Sequence, residues 1–311
     1  MKRILITGGA GFIGSHCVDL FLEHGYTVGV FDKKAKAEAV NLKHVMNDIT
    51  YIEGDICEKD RLDAVMGEYE LVLHLAALIS VQESIVDPVG THTVNVTGTL
   101  NVMDSAAKHK IRRLVYASSA AVYGDTKVVP TSESVELAPL SPYGVHKMIN
   151  ELYGRLYSER FFLPTAGLRF FNVYGSRQDP NSPYSGVISV FTQCMQTGER
   201  PTIFGDGSAT RDFIHVLDVA KACLLAIENS AVGYGVWNVG RGEEITVNEL
   251  VVGLNQIMSK ELAPKYSARR PGDIERSCAN IELIQSQYGF DPSVELSEGL
   301  REVIDWSVDQ V

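Results

Sequence analysis

Three evenly spaced glycines, Gly8, Gly11 and Gly14, separate the apolar triplet Ile4-Leu5-Ile6 from an apolar run between Val18 and Leu22. The triplet reads as a buried strand and the run as a helix, so the chain turns from strand to helix through glycine. Such a turn brings free backbone N–H groups, here of the Gly11-Phe12-Ile13-Gly14 stretch, to the positive end of a helix, which suits a pyrophosphate. The Gly-x-x-Gly-x-x-Gly spacing is looser than the Gly-x-Gly-x-x-Gly of many dinucleotide sites. The same pattern also serves simple close packing of strand on helix. The next segment adds weight to the dinucleotide reading: Val28-Gly29-Val30-Phe31-Asp32 reads as a second strand ending in an acid. A carboxylate at that distance accepts hydrogen bonds from an adenosine ribose, favouring NAD over its 2′-phosphorylated form. Lys33 and Lys34 come directly after it and weaken that preference.

The first half of the chain repeats strand then helix. Strands are expected at 4–7, 28–32, 50–53, 71–76, 113–118 and 165–170, with amphipathic stretches at 58–66, 92–109 and 144–160 between them. This alternation predicts an α/β fold, a Rossmann-type doubly wound parallel sheet with ligands at the carboxyl ends of its strands. Gly8, Asp32, Asp55, Ala76-Ala77, Ser118-Ser119 and Asn172 fall at those ends. Past residue 175 the rhythm breaks at Asp179-Pro180-Asn181-Ser182-Pro183. The expected division is a dinucleotide domain at 1–177 plus 216–240, and a smaller C-terminal α/β substrate lobe at 178–215 and 241–311.

Length and composition agree with an intracellular enzyme, because 311 residues suffice for a full core. No apolar run reaches membrane-spanning length, and the start leads directly into a strand, so neither a signal peptide nor an anchor is expected. The five cysteines, Cys17, Cys57, Cys194, Cys223 and Cys278, are scattered without metal-ligand spacing, which fits a reducing cytoplasm and no metal. A net charge of −11 argues against nucleic acid, though not against an anionic substrate gripped by a local arginine cluster.

Two places carry chemistry. Tyr143 and Lys147 stand four apart after Pro142, on one face of a helix that the proline helps to start. A phenol near pKa ~10 is a poor base at neutral pH. A lysine ammonium beside it, with a positive nicotinamide ring, favours the phenolate. Tyr143 can then take a proton from a sugar hydroxyl while hydride leaves the same carbon, and Lys147 can hold the nicotinamide ribose. The second place is Ser118-Ser119 at a strand end, where a hydroxyl can bond the reacting oxygen and relay a proton to the tyrosine. Tyr-x-x-x-Lys pairs and strand-end serines are each common. The order of glycine turn, serine pair and tyrosine makes the set specific.

With these residues the chain resembles the extended short-chain dehydrogenase/reductases, in particular the nucleotide-sugar epimerase/dehydratase group and its UDP-galactose and UDP-N-acetylglucosamine 4-epimerases. The likeness spans nearly the whole chain. Beyond the glycine turn it rests on His74-Leu75-Ala76-Ala77, Asn95-Val96-Thr97-Gly98-Thr99, Ser118 to Gly124, Tyr143 with Lys147, Leu168 to Gly175, Arg211-Asp212-Phe213-Ile214-His215 and Arg270-Pro271-Gly272-Asp273. It implies that Leu75, Ala76, Ala77, Asn95, Tyr143, Lys147 and Phe170 line NAD and that Asp55-Ile56 meets the adenine. It implies a UDP clamp in which Arg211 and Arg270 fork onto diphosphate and Asp273 takes ribose hydroxyls. Thr202-Ile203-Phe204 would edge the uracil, and Asn172 and Val187 would meet the diphosphate-sugar.

Dehydratases of the group carry Thr-Asp-Glu after the first serine, and decarboxylases a glutamate near there, whereas this chain has Ser119-Ala120-Ala121. Elimination therefore lacks its acid–base pair. The expected activity is reversible 4-epimerisation of UDP-hexoses with retained NAD; the alternatives are a net nucleotide-sugar oxidoreductase and a silent NAD-binding regulator. In the resembled epimerases the position four after the Arg-x-Gly-Asp aspartate borders the hexose. Here it is Ser277, small enough to admit a 2-acetamido group. Relatives dimerise through two helices, here 92–109 and 144–160, so a homodimer is expected.

Overall fold

The structure is a computed structural model that describes residues 2–179, 186–229, 233–270 and 273–308. Its centre is a seven-stranded sheet of β1 (Arg3–Thr7), β2 (Thr27–Asp32), β3 (Thr50–Glu53), β4 (Leu71–His74), β5 (Arg113–Ser119), β6 (Thr165–Phe170) and β7 (Tyr234–Val239). The spatial order is β7-β6-β5-β4-β1-β2-β3, and every pairing is parallel. The order reverses beside β1, which is where open α/β sheets form a ligand crevice.

Both faces of the sheet are buried, so its strands are continuously apolar rather than alternating. Ile4 and Ile6 join one core with Val28, Val30, Leu73 and Val115, covered by helices Phe12–Glu23 and Val216–Glu228. Leu5, Phe31, Val72 and Leu114 join the other, under helices Lys59–Met66, Thr99–Lys108 and Pro142–Phe161.

The expected strands all form, and 216–240 returns to the main sheet as helix and β7. The stretch 92–109 is not one α-helix: Thr93–Gly98 takes the wider π-helical winding before Thr99–Lys108 continues as α. Single π-turns inside helices commonly mark functional sites, because they re-aim one residue. The long helix starts at Pro142, earlier than the apolar pattern, because Ser141 caps it by accepting the Gly144 N–H at 3.1 Å.

A second core gathers Ile188, Phe191, Met195, Ile203, Leu250, Leu254, Leu300 and Val303, from the Val187–Gln196, Val247–Met258 and Leu296–Val308 helices and the Thr202–Phe204 strand. Strand Phe213–His215 pairs with Asn172–Tyr174 and links this lobe to the end of β6. One segment assigned to the lobe from sequence packs elsewhere. Ile284, Tyr288 and Phe290, in and after helix Glu282–Tyr288, belong to the main core. The Tyr288 ring lies 4.5 Å from that of Trp237 on β7, and Trp237 Nε1 donates to Gln287 at 2.9 Å. The edge strand β7 needs an apolar cover, and this helix supplies it.

Candidate active site

The glycine turn is built by contact, not only by conformation. Gly8 has φ +73, and a Cβ there would meet the Ala76 backbone nitrogen at 2.6 Å. A Cβ on Gly14 would lie 2.2 Å from the Gly8 carbonyl oxygen. Helix Phe12–Glu23 starts at Gly11 with no side-chain cap, so its first-turn amides keep their donors for a ligand. Asp32 is held in place by two backbone donors, Ala10 N at 2.9 Å and Lys34 N at 3.0 Å. These residues fit a dinucleotide, with a tight backbone cradle at a helix N-terminus and an oriented carboxylate one strand away.

Along this edge of the sheet runs a cavity of about 500 Å³. Gly8, Gly11, Phe12, Ile13, Gly14, Asp32, Lys33, Asp55, Ile56, Leu75, Ala76, Ala77, Ser119, Tyr143, Lys147, Phe170 and Asn172 all line it. Asn95, expected beside the cofactor, does not. Its side-chain oxygen accepts from Leu78 N and its amide donates to Leu78 O, both at 2.8 Å. It shapes the wall of the cavity from behind. Leu78, Ile79, Gln178 and Gly186 line the cavity without having been singled out from sequence. They lie in loops after strand ends, where no spacing marks them.

The candidate reacting groups Ser119, Tyr143 and Lys147 meet at one end. Ser119 accepts the Ala121 N–H at 3.2 Å and hydrogen-bonds the Tyr143 phenol. Tyr143 is fixed through its backbone, whose N–H donates to Ser84 Oγ at 3.1 Å, a support that sequence reading missed. Burial pushes the Tyr143 phenol above its ordinary value, and the bond to Ser119 partly offsets this. Burial likewise lowers Lys147 to about 8, which leaves it cationic at neutral pH. The Lys147 ammonium donates to Ala117 O at 2.8 Å and stands 5.7 Å from the Tyr143 ring centre. Burial dominates here, opposing the phenolate that Lys147 together with a positive nicotinamide ring is expected to favour.

The expected clamp residues form a separate patch outside the cavity lining. Arg270 stacks 3.6 Å above the exposed Phe204 ring, a cation–π contact. Arg211 is half-buried, and Asp273 stabilises its charge against desolvation. Thr202 is exposed, but Ile203 is 1 % exposed as a whole residue and belongs to the second core, so it faces inward rather than toward a ligand. Val187 begins the helix capped by Gly186, which does line the cavity. Ser277 is half-buried and Cys278 buried, while Pro271 and Gly272 lie outside the described residues.

A doubly wound sheet with a glycine cradle, a ribose-directed acid and a Ser/Tyr/Lys set defines a dinucleotide-dependent enzyme of the Rossmann type. The chain belongs to the NAD dependent epimerase/dehydratase family, which it matches over residues 4–240. It is 36 % identical over 309 residues to a UDP-glucose 4-epimerase of Mycolicibacterium smegmatis, covering 98 % of each chain. Among solved structures it is similar to the Thermotoga maritima UDP-glucose 4-epimerase with UDP-glucose, at 35 % identity, TM-score 0.93 and 99 % of each chain. It is also similar to the UDP-N-acetylglucosamine 4-epimerase of Methanobrevibacter ruminantium M1 in complex with UDP-N-acetylmuramic acid. There the identity is 36 % and the TM-score 0.95, over 100 % of this chain and 99 % of that one.

Proposed function

We propose that this protein is an NAD-dependent 4-epimerase of UDP-hexoses. The observation that carries the reading is the composition of one cavity. Ser119, Tyr143 and Lys147 share it with the glycine cradle, and its described lining acids are Asp32 and Asp55, both at the adenosine end. Among the described lining residues no carboxylate stands beside Ser119 to eliminate water or assist decarboxylation, so proton transfer at one hydroxyl is the available chemistry. The glycine cradle, Asp32 and Lys147 would hold NAD, which would supply a reversible hydride acceptor at the sugar C4. Tyr143 takes and returns the hydroxyl proton, Ser119 bonds the same oxygen, and Lys147 holds the nicotinamide ribose and keeps a positive charge nearby.

The patch of Phe204, Arg211, Arg270 and Asp273 then grips UDP, with the Thr202–Phe204 strand at the uracil and Asn172 and Val187 toward the diphosphate-sugar. Arginine forks suit diphosphate oxygens. A small Ser277 leaves room for a 2-acetamido group, so UDP-N-acetylglucosamine and UDP-N-acetylgalactosamine belong to the substrate range, with UDP-glucose and UDP-galactose alongside. The same reading includes a cytoplasmic enzyme, supported by five free cysteines and by the absence of a membrane-length apolar helix among the described residues. It includes a homodimer, supported by Leu152 and Leu156, exposed by 56 % and 43 % on the Pro142–Phe161 helix.

Proton NMR of each UDP-hexose with the enzyme and no added oxidant tests the activity; interconversion at C4 is expected, and no interconversion of any of the four sugars overturns it. Ser277→Tyr is expected to remove turnover of the acetylated pair only, because the added ring fills the acetamido volume. Equal loss of both pairs refutes the role of Ser277.

A further inference from the structure

Segment 275–279, which carries Ser277, is fastened on both sides to the strand that carries Arg211. On one side Glu244 accepts from Arg276 Nε at 3.0 Å and from Arg276 Nη2 at 2.5 Å. The same carboxylate accepts the Thr210 hydroxyl at 2.5 Å, and Thr210 N donates to Glu275 O at 3.0 Å. On the other side Asp212 Oδ2 accepts Ala279 N at 3.0 Å, and Thr131 N donates to Cys278 O at 2.8 Å. Asp212 is wholly buried and also accepts Arg241 N at 2.7 Å and Gly242 N at 2.9 Å. Arg211 lies between Thr210 and Asp212, and Ser277 between Arg276 and Cys278. The two residues assigned to diphosphate and hexose are thus the central members of two strips joined at both ends.

We infer that Glu244 and Asp212 are positioning residues that lock the hexose-facing strip 275–279 to the diphosphate-gripping strip 210–212 and so help set which hexose is accepted. This rests on the 4-epimerase reading above. A small residue at position 277 discriminates only if its distance from the bound diphosphate is fixed; a strip free to move by about 1 Å accommodates either sugar class, and misplacement of that size is costly in positioning. The fastening is unlike ordinary surface pairing. Glu244 joins three donors from two residues, and Arg276 holds its carboxyl below the ordinary value. A buried carboxylate satisfied by three amides holds three chain segments at one point, because each amide must keep its direction. Neither acid touches the cavity around Tyr143, so their loss leaves the proton-transfer groups in place.

The test is Glu244→Gln in the full-length enzyme, with steady-state kinetics on UDP-N-acetylgalactosamine and UDP-galactose and a measurement of NAD retained through purification. Glu244 is partly exposed, so this variant is expected to fold. The expected result is a KM for UDP-sugar raised about tenfold, the scale of one lost charge-assisted hydrogen bond. A kcat within about twofold of wild type and unchanged retained NAD are expected with it. The ratio of kcat/KM between the two sugars moves toward one. Asp212→Asn shifts the same quantities in the same direction, and Glu244→Gln with Arg276→Gln is non-additive because both break one pair. Unchanged KM and sugar ratio in Glu244→Gln overturn the inference, as does a loss confined to kcat or to retained NAD. A wild type that interconverts no UDP-hexose instead overturns the reading beneath it.

Discussion

Two buried histidines make acid stability a direct test of the fold around the glycine turn. His74 joins Thr7 Oγ1 at 2.7 Å and Thr99 Oγ1 at 2.9 Å. Thr99 gives its one hydroxyl hydrogen to Asn95 O at 2.7 Å, so it accepts from His74 Nε2. His74 is therefore the neutral Nε2–H form, with Nδ1 accepting from Thr7. Burial and then the Lys147 charge lower His74 to about 3. Burial lowers His16 to about 4, against the bond its ring makes to Ser176 O. In both cases the unfolded chain binds a proton near pH 6.5 and the folded chain does not. Stability thus falls as pH drops below 6.5, and each histidine costs about 2 kcal/mol by pH 5. Asp212 works the other way: burial raises its carboxyl to about 6, so acid favours its folded form, by about 1 kcal/mol at pH 5. The net of these three groups is a loss of about 3 kcal/mol between pH 8 and pH 5. Urea unfolding followed by circular dichroism at both pH values measures it. His74→Gln should shrink the loss by about 2 kcal/mol while lowering stability at pH 8. If wild type and His74→Gln lose the same stability between the two pH values, the assignment of a neutral buried His74 is wrong.

Tyr143→Phe should keep NAD and lose epimerisation rate by roughly 10²–10⁴, the scale of one acid–base group, while Ser119→Ala loses less; near wild-type turnover in a coupled assay removes Tyr143 from the mechanism. Asp32→Ala should weaken NAD and relax exclusion of NADP, since a ribose acceptor and a charge facing the 2′-phosphate go together. Calorimetric titration of both nucleotides decides it, and a wild type preferring NADP would reassign Lys33 and Lys34 to phosphate. Gly14→Ala should purify without NAD, because its methyl would sit 2.2 Å from a backbone oxygen that cannot swing aside. Recovery of stoichiometric NAD in that variant refutes the tight cradle.

The central sheet was readable because both of its faces are covered: a strand such as Ile4-Leu5-Ile6 has no polar face and stands out as a short apolar run. Glycines at 8, 11 and 14 were readable because close approach of backbone to backbone leaves no alternative residue. Less was visible where a side chain acts on a distant peptide. Asn95 carries an amide that suits a ligand, yet it spends both ends on Leu78, 17 positions away in a loop that no local pattern marks. Ser84 sits 59 positions from Tyr143, whose N–H it accepts, and no local pattern encodes that pairing. The helix at Glu282–Tyr288 has too few turns for its apolar face to reveal which of two cores it joins.

The serine pair shows how strand geometry sorts neighbours that look alike in sequence. Successive side chains on β5 point to opposite sides, so Ser118 and Ser119 cannot serve the same partner. Ser119 turns to the Tyr143 phenol. Ser118, which also borders the cavity, donates its hydroxyl to the buried Glu151 at 2.6 Å. Glu151 is two steps of four beyond Tyr143, on the face that Tyr143 and Lys147 share. The same carboxylate receives Arg169 Nε at 2.8 Å and Nη2 at 2.7 Å, with both side chains 5 % exposed. Arg169 is the residue before Phe170, and Ser118 the residue before Ser119. One buried acid therefore ties the Pro142–Phe161 helix to the ends of β5 and β6, beside Ser119 and Phe170, which line the cavity. Breaking a buried ion pair by removing one partner costs about 3–5 kcal/mol, so the helix face is held with little freedom to rotate. That rigidity suits a site in which one phenol must meet the same oxygen for both halves of a reversible proton transfer.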